Sequence, residues 1–238
     1  GLAFFLRTYY TLPVAIQNAS NGWFSVSGGA DSYYHERAIS YILTTHHQLL
    51  EDTMLNYPVG LMDPRPPFFD WSVALFGYAL SPFFGFNINL ATNYALILIT
   101  SIYGALIAIP MYLIGKEAFN KRVGIISAFL IATSAANMTR SIAGWGGYDD
   151  VILFFALWFK GSSIKIGAKK FFSENHNTII YTALSGISLG TVALMWQGFS
   201  YVEVIVLVFL IIQVFINRFR NVSSFHILMI SLIFGLFA

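Results

Sequence analysis

An all-α protein that crosses a membrane several times is what this sequence predicts, and three observations predict it. Of 238 residues, 57% are hydrophobic and 10% are charged, against roughly 25% charged in an ordinary soluble domain. Apolar runs of helical length recur after residue 90, and the few charges are sorted along the chain. A water-soluble globule of this size is excluded. The chain has no Cys, which excludes disulfides, thiolate metal sites and a thiol nucleophile. Its net charge of +2 is too small to imply a nucleic-acid partner. Gly1 opens with neither a Met nor the basic flank of a signal peptide, and the apolar run His226 to Ala238 is too short to span. The chain therefore reads as part of a longer protein.

Residues 1–90 read as the end of a first transmembrane helix followed by a large external loop. Asn18 to Arg65 is polar and rich in Gly, Pro, Asp and His, and unpaired backbone of that kind is costly inside hydrocarbon. Within it, Gly28 and Gly29 make a turn ahead of a helix running through Leu50, with Asp31 at or near the N-cap. Phe68 to Phe86 reads as a helix lying in the outer interface. Pro66 and Pro67 precede it, Asp70 is polar, and Pro82 interrupts it.

Residues 91–238 hold the spans, each judged against the about 20 apolar residues a bilayer requires. They are Ala91 to Gly115, Val123 to Met138, Thr178 to Met195 and Phe199 to Ile216. Val151 to Phe159 is a shorter apolar stretch, about 14 Å of helix. Lys116, Lys121 and Arg122 form one basic cluster, Lys160, Lys165, Lys169 and Lys170 a second, and Arg218 with Arg220 a third. Basic residues accumulate on the cytoplasmic side. All three clusters are then inside, and the large loop and Asp149/Asp150 face outward.

Two places can carry chemistry. Asp31, in Gly28-Gly29-Ala30-Asp31-Ser32-Tyr33-Tyr34-His35-Glu36-Arg37, either caps its helix or binds a divalent cation or polar substrate above the membrane. His35 lies one turn further on, within reach of that carboxylate or of a phosphate. Asp149 and Asp150 follow Arg140 at the mouth of a transmembrane segment, where charges are costly and tend to be functional. Hard oxygen ligands drawn from Asp31 with Asp149 or Asp150 suit Mg²⁺ or Mn²⁺, and nothing in the spacing suggests zinc. His46 and His47 are adjacent and read as a solvated pair. Asn18-Ala19-Ser20 has the form of a glycan acceptor.

At these residues the sequence resembles the catalytic subunit of oligosaccharyltransferase, the family of archaeal AglB and bacterial PglB. Asp31-Ser32-Tyr33-Tyr34-His35-Glu36-Arg37 is similar to the family's D-P-Y-Y-H-x-R. Asn56-Tyr57-Pro58-Val59-Gly60, then Pro66-Pro67-Phe68-Phe69-Asp70-Trp71, resembles N-Y-P-x-G and P-P-L-F-D-W. Arg140-Ser141-Ile142-Ala143-Gly144, then Tyr148-Asp149-Asp150, is similar to the second acidic motif, R-S-x-A-G-x-[YF]-D-x-[DE]. The second motif departs from the pattern. If Asp149 takes its first acidic place, Val151 occupies the second, and if Asp150 takes the second, Tyr148 occupies the first.

The resemblance implies a transmembrane region of the GT-C glycosyltransferase type, in an integral membrane protein with its active site on the external face. It implies metal-dependent, inverting transfer of an oligosaccharide from a lipid-linked donor, a dolichyl phosphate or pyrophosphate, to the Asn of an N-x-S/T acceptor polypeptide. Asp31 and Arg140 are then catalytic, Asp31, Asp149 and Asp150 hold Mn²⁺ or Mg²⁺, and His35 meets the donor phosphate. The family's C-terminal soluble domain is expected beyond Ala238, which leaves this portion inactive alone. Lack of Cys and the divergent second motif favour an archaeal source. Two rivals remain: a non-catalytic paralogue or scaffold of the same fold, and a membrane transporter, which the near absence of charge inside the spans disfavours.

Overall fold

The computed structural model describes residues 1–20, 30–63, 65–144 and 176–237. Its elements are overwhelmingly helical. In chain order they are α1 (Leu2–Thr8), α2 (Thr11–Ser20), α3 (Ala30–Thr45), the two-residue strands β1 (Glu51–Asp52) and β2 (Leu61–Met62), α4 (Phe68–Leu80), and a 3₁₀ turn at Ser81–Phe84. There follow α5 (Ile88–Leu106), α6 (Ala108–Ala118), α7 (Lys121–Thr133), α8 (Ala135–Arg140), α9 (His176–Ala193), α10 (Phe199–Phe219) and α11 (Phe225–Phe237).

α3 and α4 bury one stripe each and pack on α5. α3 turns Ser32, His35, Ala38, Ile39 and Ile42 inward, the three-and-four spacing of a helix face. α4 contributes Phe69, Asp70, Val73, Ala74 and Gly77. Together with Ala95, Leu96 and Ile99 of α5, Ile39, Ile42, Phe69, Val73 and Ala74 form the main apolar core. The other side of α4 presents Phe68, Trp71, Leu75 and Tyr78 outward. At 13 residues and about 1.5 Å each, α4 is too short for a hydrocarbon core of about 30 Å, and it gives way to the 3₁₀ turn at Ser81 before the expected end at Phe86.

β1 and β2 pair antiparallel, Glu51 with Met62 and Asp52 with Leu61. Asn56-Tyr57-Pro58-Val59-Gly60 makes up the second part of the loop of this hairpin, with Asn56 and Gly60 at positive φ. This is the one departure from an all-α fold among the described residues.

α5 is capped by Asn87, whose side chain accepts the Leu90 N–H at 3.1 Å. α5 and α6 form a 29-residue apolar run, Ile88–Lys116, with mean hydropathy 2.1. The helix is interrupted at Ile107, three residues before Pro110, which cannot donate to the Leu106 carbonyl. The other helix of membrane-crossing length and apolarity among the described residues is α10, with mean hydropathy 2.5 and 6% of its apolar window buried. Apart from a stripe at Val202, Val206 and Leu210 that packs against Leu189 and Phe234, its large apolar residues face outward, including Ile205, Leu207, Phe209, Ile212 and Phe215, a pattern suited to lipid. At 21 residues it extends about 31 Å.

α6 and α7 form an antiparallel hairpin whose turn carries Lys116, Lys121 and Arg122. Asn120 caps α7 by accepting from the N–H groups of Arg122 and Val123 at 3.0 and 3.1 Å. The two backbones touch: a Cβ on Gly124 would stand 2.7 Å from the Tyr112 carbonyl oxygen and 3.0 Å from the Lys116 nitrogen. Gly124→Val should therefore destabilise the protein by about 1–3 kcal/mol through overpacking, read as a lower midpoint of thermal unfolding in detergent. Gly235→Val, where a Cβ meets nothing within 4 Å, should leave the midpoint near wild type.

The expected span Val123 to Met138 is corrected. Ser134 is extended, with φ −62 and ψ 121, and separates the 13-residue α7 from the short α8. The cause lies in Arg7 of α1, which bonds to residues on both sides of the break. α9 begins two residues before the expected Thr178, and α10 runs three residues past the expected Ile216. The short stretch Val151 to Phe159 and the second basic cluster lie outside the described residues.

Candidate functional site

The first motif occupies the first two turns of α3, and four of its side chains find partners between residues 52 and 70. His35 turns inward. Its Nδ1 lies 2.6 Å from Asp70 Oδ1, with both side chains 1% exposed, and its ring meets Phe69 edge-on at 4.8 Å. Arg37 donates to Asp52 Oδ1 at 2.7 Å, and the same oxygen accepts the Met54 N–H at 2.8 Å, which ties the hairpin to α3. Arg65 donates to Asp31 Oδ1 at 2.6 Å and stacks 4.3 Å over the Tyr34 ring. Asp63 Oδ1 accepts the Arg65 N–H at 3.0 Å. The D-S-Y-Y-H-E-R helix and the P-P-F-F-D-W segment are thus two halves of one packed unit.

Asp31 lies in the first turn, near the predicted cap position. Its side chain remains 72% exposed while Arg65 engages it. An exposed ion pair of this kind contributes about 0–1 kcal/mol, so Asp31 does little to hold the unit together. His35, one turn away, serves Asp70 instead of Asp31. His46 and His47 are exposed at the end of α3, as a solvated pair should be.

The electrostatics follow from burial. Burial pushes the Asp70 carboxyl above its ordinary range, against the opposing pull of His35. Burial likewise raises Glu36, which lines a polar recess of about 200 Å³ with Ser40, Asn89 and Asn93. Tyr34 is pushed up to about 12, first by burial and then by the negative charges of Asp63 and Asp52, with Arg65 opposing. Because the folded value lies above the unfolded one, the contribution of Tyr34 to stability is complete below about pH 10 and is lost as pH rises toward 12. Tyr34→Phe should flatten that alkaline loss. The phenolate absorbance of wild type minus variant should show one tyrosine ionising near pH 12.

The second motif is held by a side chain that hydropathy alone does not flag. Arg7 of α1 is fully buried. Its Nε donates to Ser141 Oγ at 2.7 Å, one Nη to the carbonyls of Ala3 and Ala132 at 2.8 and 3.0 Å, and the other to Asn137 Oδ1. Ala132 lies in the last turn of α7, where carbonyls have no intrahelical partner. The guanidinium therefore caps α7 and grips α8 at once, which is the physical reason for the break at Ser134. The turn beyond is sewn to α5: Ser101 Oγ donates to the Ser141 carbonyl at 3.1 Å and Gly144 N–H to the Ile97 carbonyl at 2.9 Å. Arg140, the last residue of α8, is exposed. Asp149 and Asp150 lie outside the described residues.

A lone Arg in the apolar stretch Leu2-Ala3-Phe4-Phe5-Leu6-Arg7 was a legible signal, since a charge there demands partners. Arg65 gave no such signal, because a charge in a polar loop is ordinary. Among the described residues, no group of three or more His, Cys, Asp or Glu side chains is placed to hold a metal ion. Asp31 fits a hard divalent cation in chemistry and exposure, and its carboxylate already draws a cation, the Arg65 guanidinium.

Residues 19–238 match the family described as "Oligosaccharyl transferase STT3, N-terminal". The chain is 25% identical over 218 residues to the dolichyl-phosphooligosaccharide-protein glycotransferase 3 of Archaeoglobus fulgidus, covering 89% of this chain and 25% of that protein. The chain thus spans about a quarter of that relative's length. In structure it is similar to the A. fulgidus oligosaccharyltransferase in its apo form, with a TM-score of 0.78 at 23% identity over 99% of this chain and 27% of that one. It is also similar, with a TM-score of 0.66 at 26% identity, to the A. fulgidus enzyme tethered to an acceptor peptide containing the NVT sequon, over 87% of this chain and 26% of that one.

Proposed function

The chain belongs to the oligosaccharyl transferase STT3 family, and from that premise we propose that it is the membrane-embedded portion of an enzyme of N-glycosylation. The reaction moves an oligosaccharide from a dolichyl phosphate or pyrophosphate donor to the asparagine of an N-x-S/T polypeptide. One observation carries the reading. In the first motif, His35 and Arg37 are committed to packing against Asp70 and Asp52, whereas the Asp31 carboxylate is fixed on a helix yet open to solvent.

The chain is read as an integral membrane protein with several spans, among them the α5–α6 run and α10. Its basic clusters face the cytoplasm and Asp31 the outside. In the transfer, the acceptor amide nitrogen bonds to the anomeric carbon as that carbon's bond to the phosphate oxygen breaks. Entry opposite the leaving group inverts the carbon. Asp31 accepts an amide N–H, so aiming a weak nucleophile, and takes the proton that the nitrogen gives up as the new bond forms. Arg140 binds the donor phosphate in the ground state and meets the negative charge that builds on it as it departs. Asp31, Asp149 and Asp150 would hold Mn²⁺ or Mg²⁺, which when bound supplies Lewis-acid stabilisation of that phosphate. His35 is retained by Asp70 in this arrangement, so the donor phosphate falls to Arg140.

The test is a transfer assay. Full-length protein in membranes, given an archaeal lipid-linked oligosaccharide extract and a fluorescent N-x-T peptide, should yield glycopeptide. The same peptide with Gln for Asn should yield none. Absence of product from the N-x-T peptide with donor and Mn²⁺ in excess would overturn the reading.

A further inference from the structure

We propose that Arg7, far in sequence from the second acidic motif, is a positioning residue that orients Arg140 toward the donor. The inference rests on the donor-facing reading of Arg140 above. Arg7 grips α8 on both sides of Arg140, at Asn137 three residues before it and at Ser141 immediately after it. Ser141 Oγ in turn donates to the Asn137 carbonyl at 2.7 Å. The Arg7 carbonyl accepts the Ala143 N–H at 3.0 Å, so α1 holds this turn by backbone and side chain together. With residues 137 and 141 buried and 140 exposed, the end of α8 cannot roll without breaking these bonds.

The joint is matched from α5. A Cβ on Gly104 would stand 2.3 Å from Ser141 Cβ and 2.8 Å from Arg7 Nε, so glycine there is what lets the guanidinium and the turn meet. A planar fork that reaches Ser141, Asn137 and Ala132 at once is a task for Arg, and a Lys ammonium cannot span all three.

The test uses the full-length protein in lipid nanodiscs. The 238 residues contain no cysteine, so a nitroxide on Arg140→Cys reports uniquely within them on the end of α8. A second label at Ile205→Cys on α10 reports overall integrity. Arg7→Gln should mobilise the label at 140 and leave the one at 205 unchanged, Arg7→Lys should do so in part, and Gly104→Ala should reproduce the effect from the other side. In transfer kinetics, Arg7→Gln should raise the donor KM about tenfold, the scale of one lost hydrogen bond to a charged group, with the acceptor KM unchanged. Arg140→Gln should do the same, and the double variant no more.

Unchanged motion at 140, or equal mobilisation at 205, overturns the proposal. So does a loss confined to kcat with both KM values unchanged, which marks a misfolded fraction. Mobilisation confined to 140 with a donor KM that neither Arg7→Gln nor Arg140→Gln moves sustains the positioning of Arg140 and overturns instead its donor-facing role.

Discussion

Asp31→Asn in the full-length protein is expected to lower glycan transfer by about 10²- to 10⁴-fold, the scale of a lost acid–base group, while the thermal midpoint stays near wild type. Magnitudes separate the two roles this residue can have. As a surface side chain, 72% exposed and paired with Arg65, it contributes about 0–1 kcal/mol, and such a loss is invisible in an activity assay. As the carboxylate that aims the acceptor amide, its loss removes an interaction made in the transition state, and Asn cannot accept the proton. The comparison to make is initial rate against unfolding midpoint in the same preparation. Wild-type rates in the variant would leave Asp31 only its surface pairing with Arg65.

His35→Leu is expected to have the opposite signature, a large loss of stability in the outer unit. His35 and Asp70 are both 1% exposed and 2.6 Å apart, and burial already presses the Asp70 carboxyl toward its neutral form. Removing one member of a buried pair typically costs about 3–5 kcal/mol, because the other is left without compensation, whereas replacing both by apolar residues is often near neutral. Asp70→Leu should cost a similar amount, and the His35→Leu/Asp70→Leu double variant less than either single one. Denaturant unfolding in detergent of all four proteins measures this directly. Losses that simply add would mean that the pair is not energetically coupled.

The sequence-readable part of this structure is the part governed by local rules. Phe68 begins α4 where Pro66-Pro67 placed it, Asn87 and Asn120 cap helices as short polar residues do, and the run from Ala91 onward carries no charge until Lys116 and is helical apart from the interruption at Ile107 ahead of Pro110. The break at Ser134 was not readable, since the residue that stabilises it is Arg7, 125 positions from its Ala132 contact. The hairpin escaped because two residues per strand leave no alternation to detect. In the candidate site, Asp31 was recognisable from its motif, but its pairing with Arg65 spans 34 residues and depends on how the P-P-F-F-D-W segment folds back. The same holds for His35, whose inward turn toward Asp70 is fixed by tertiary packing and not by its spacing from Asp31.

The Arg7 joint also dictates an order of assembly. His35 and Asp70 are 35 residues apart, so that contact needs only the chain up to residue 70. Arg7 and Ser141 are separated by 134 residues, and the guanidinium reaches its permanent partners only after α5, α6 and α7 have been synthesised. Until then its flexible stem lets the charge reach up to water or lipid headgroups at the membrane edge. Withdrawal of Arg7 from that edge therefore follows the synthesis of α8, and it closes α1 onto α5, α7 and α8.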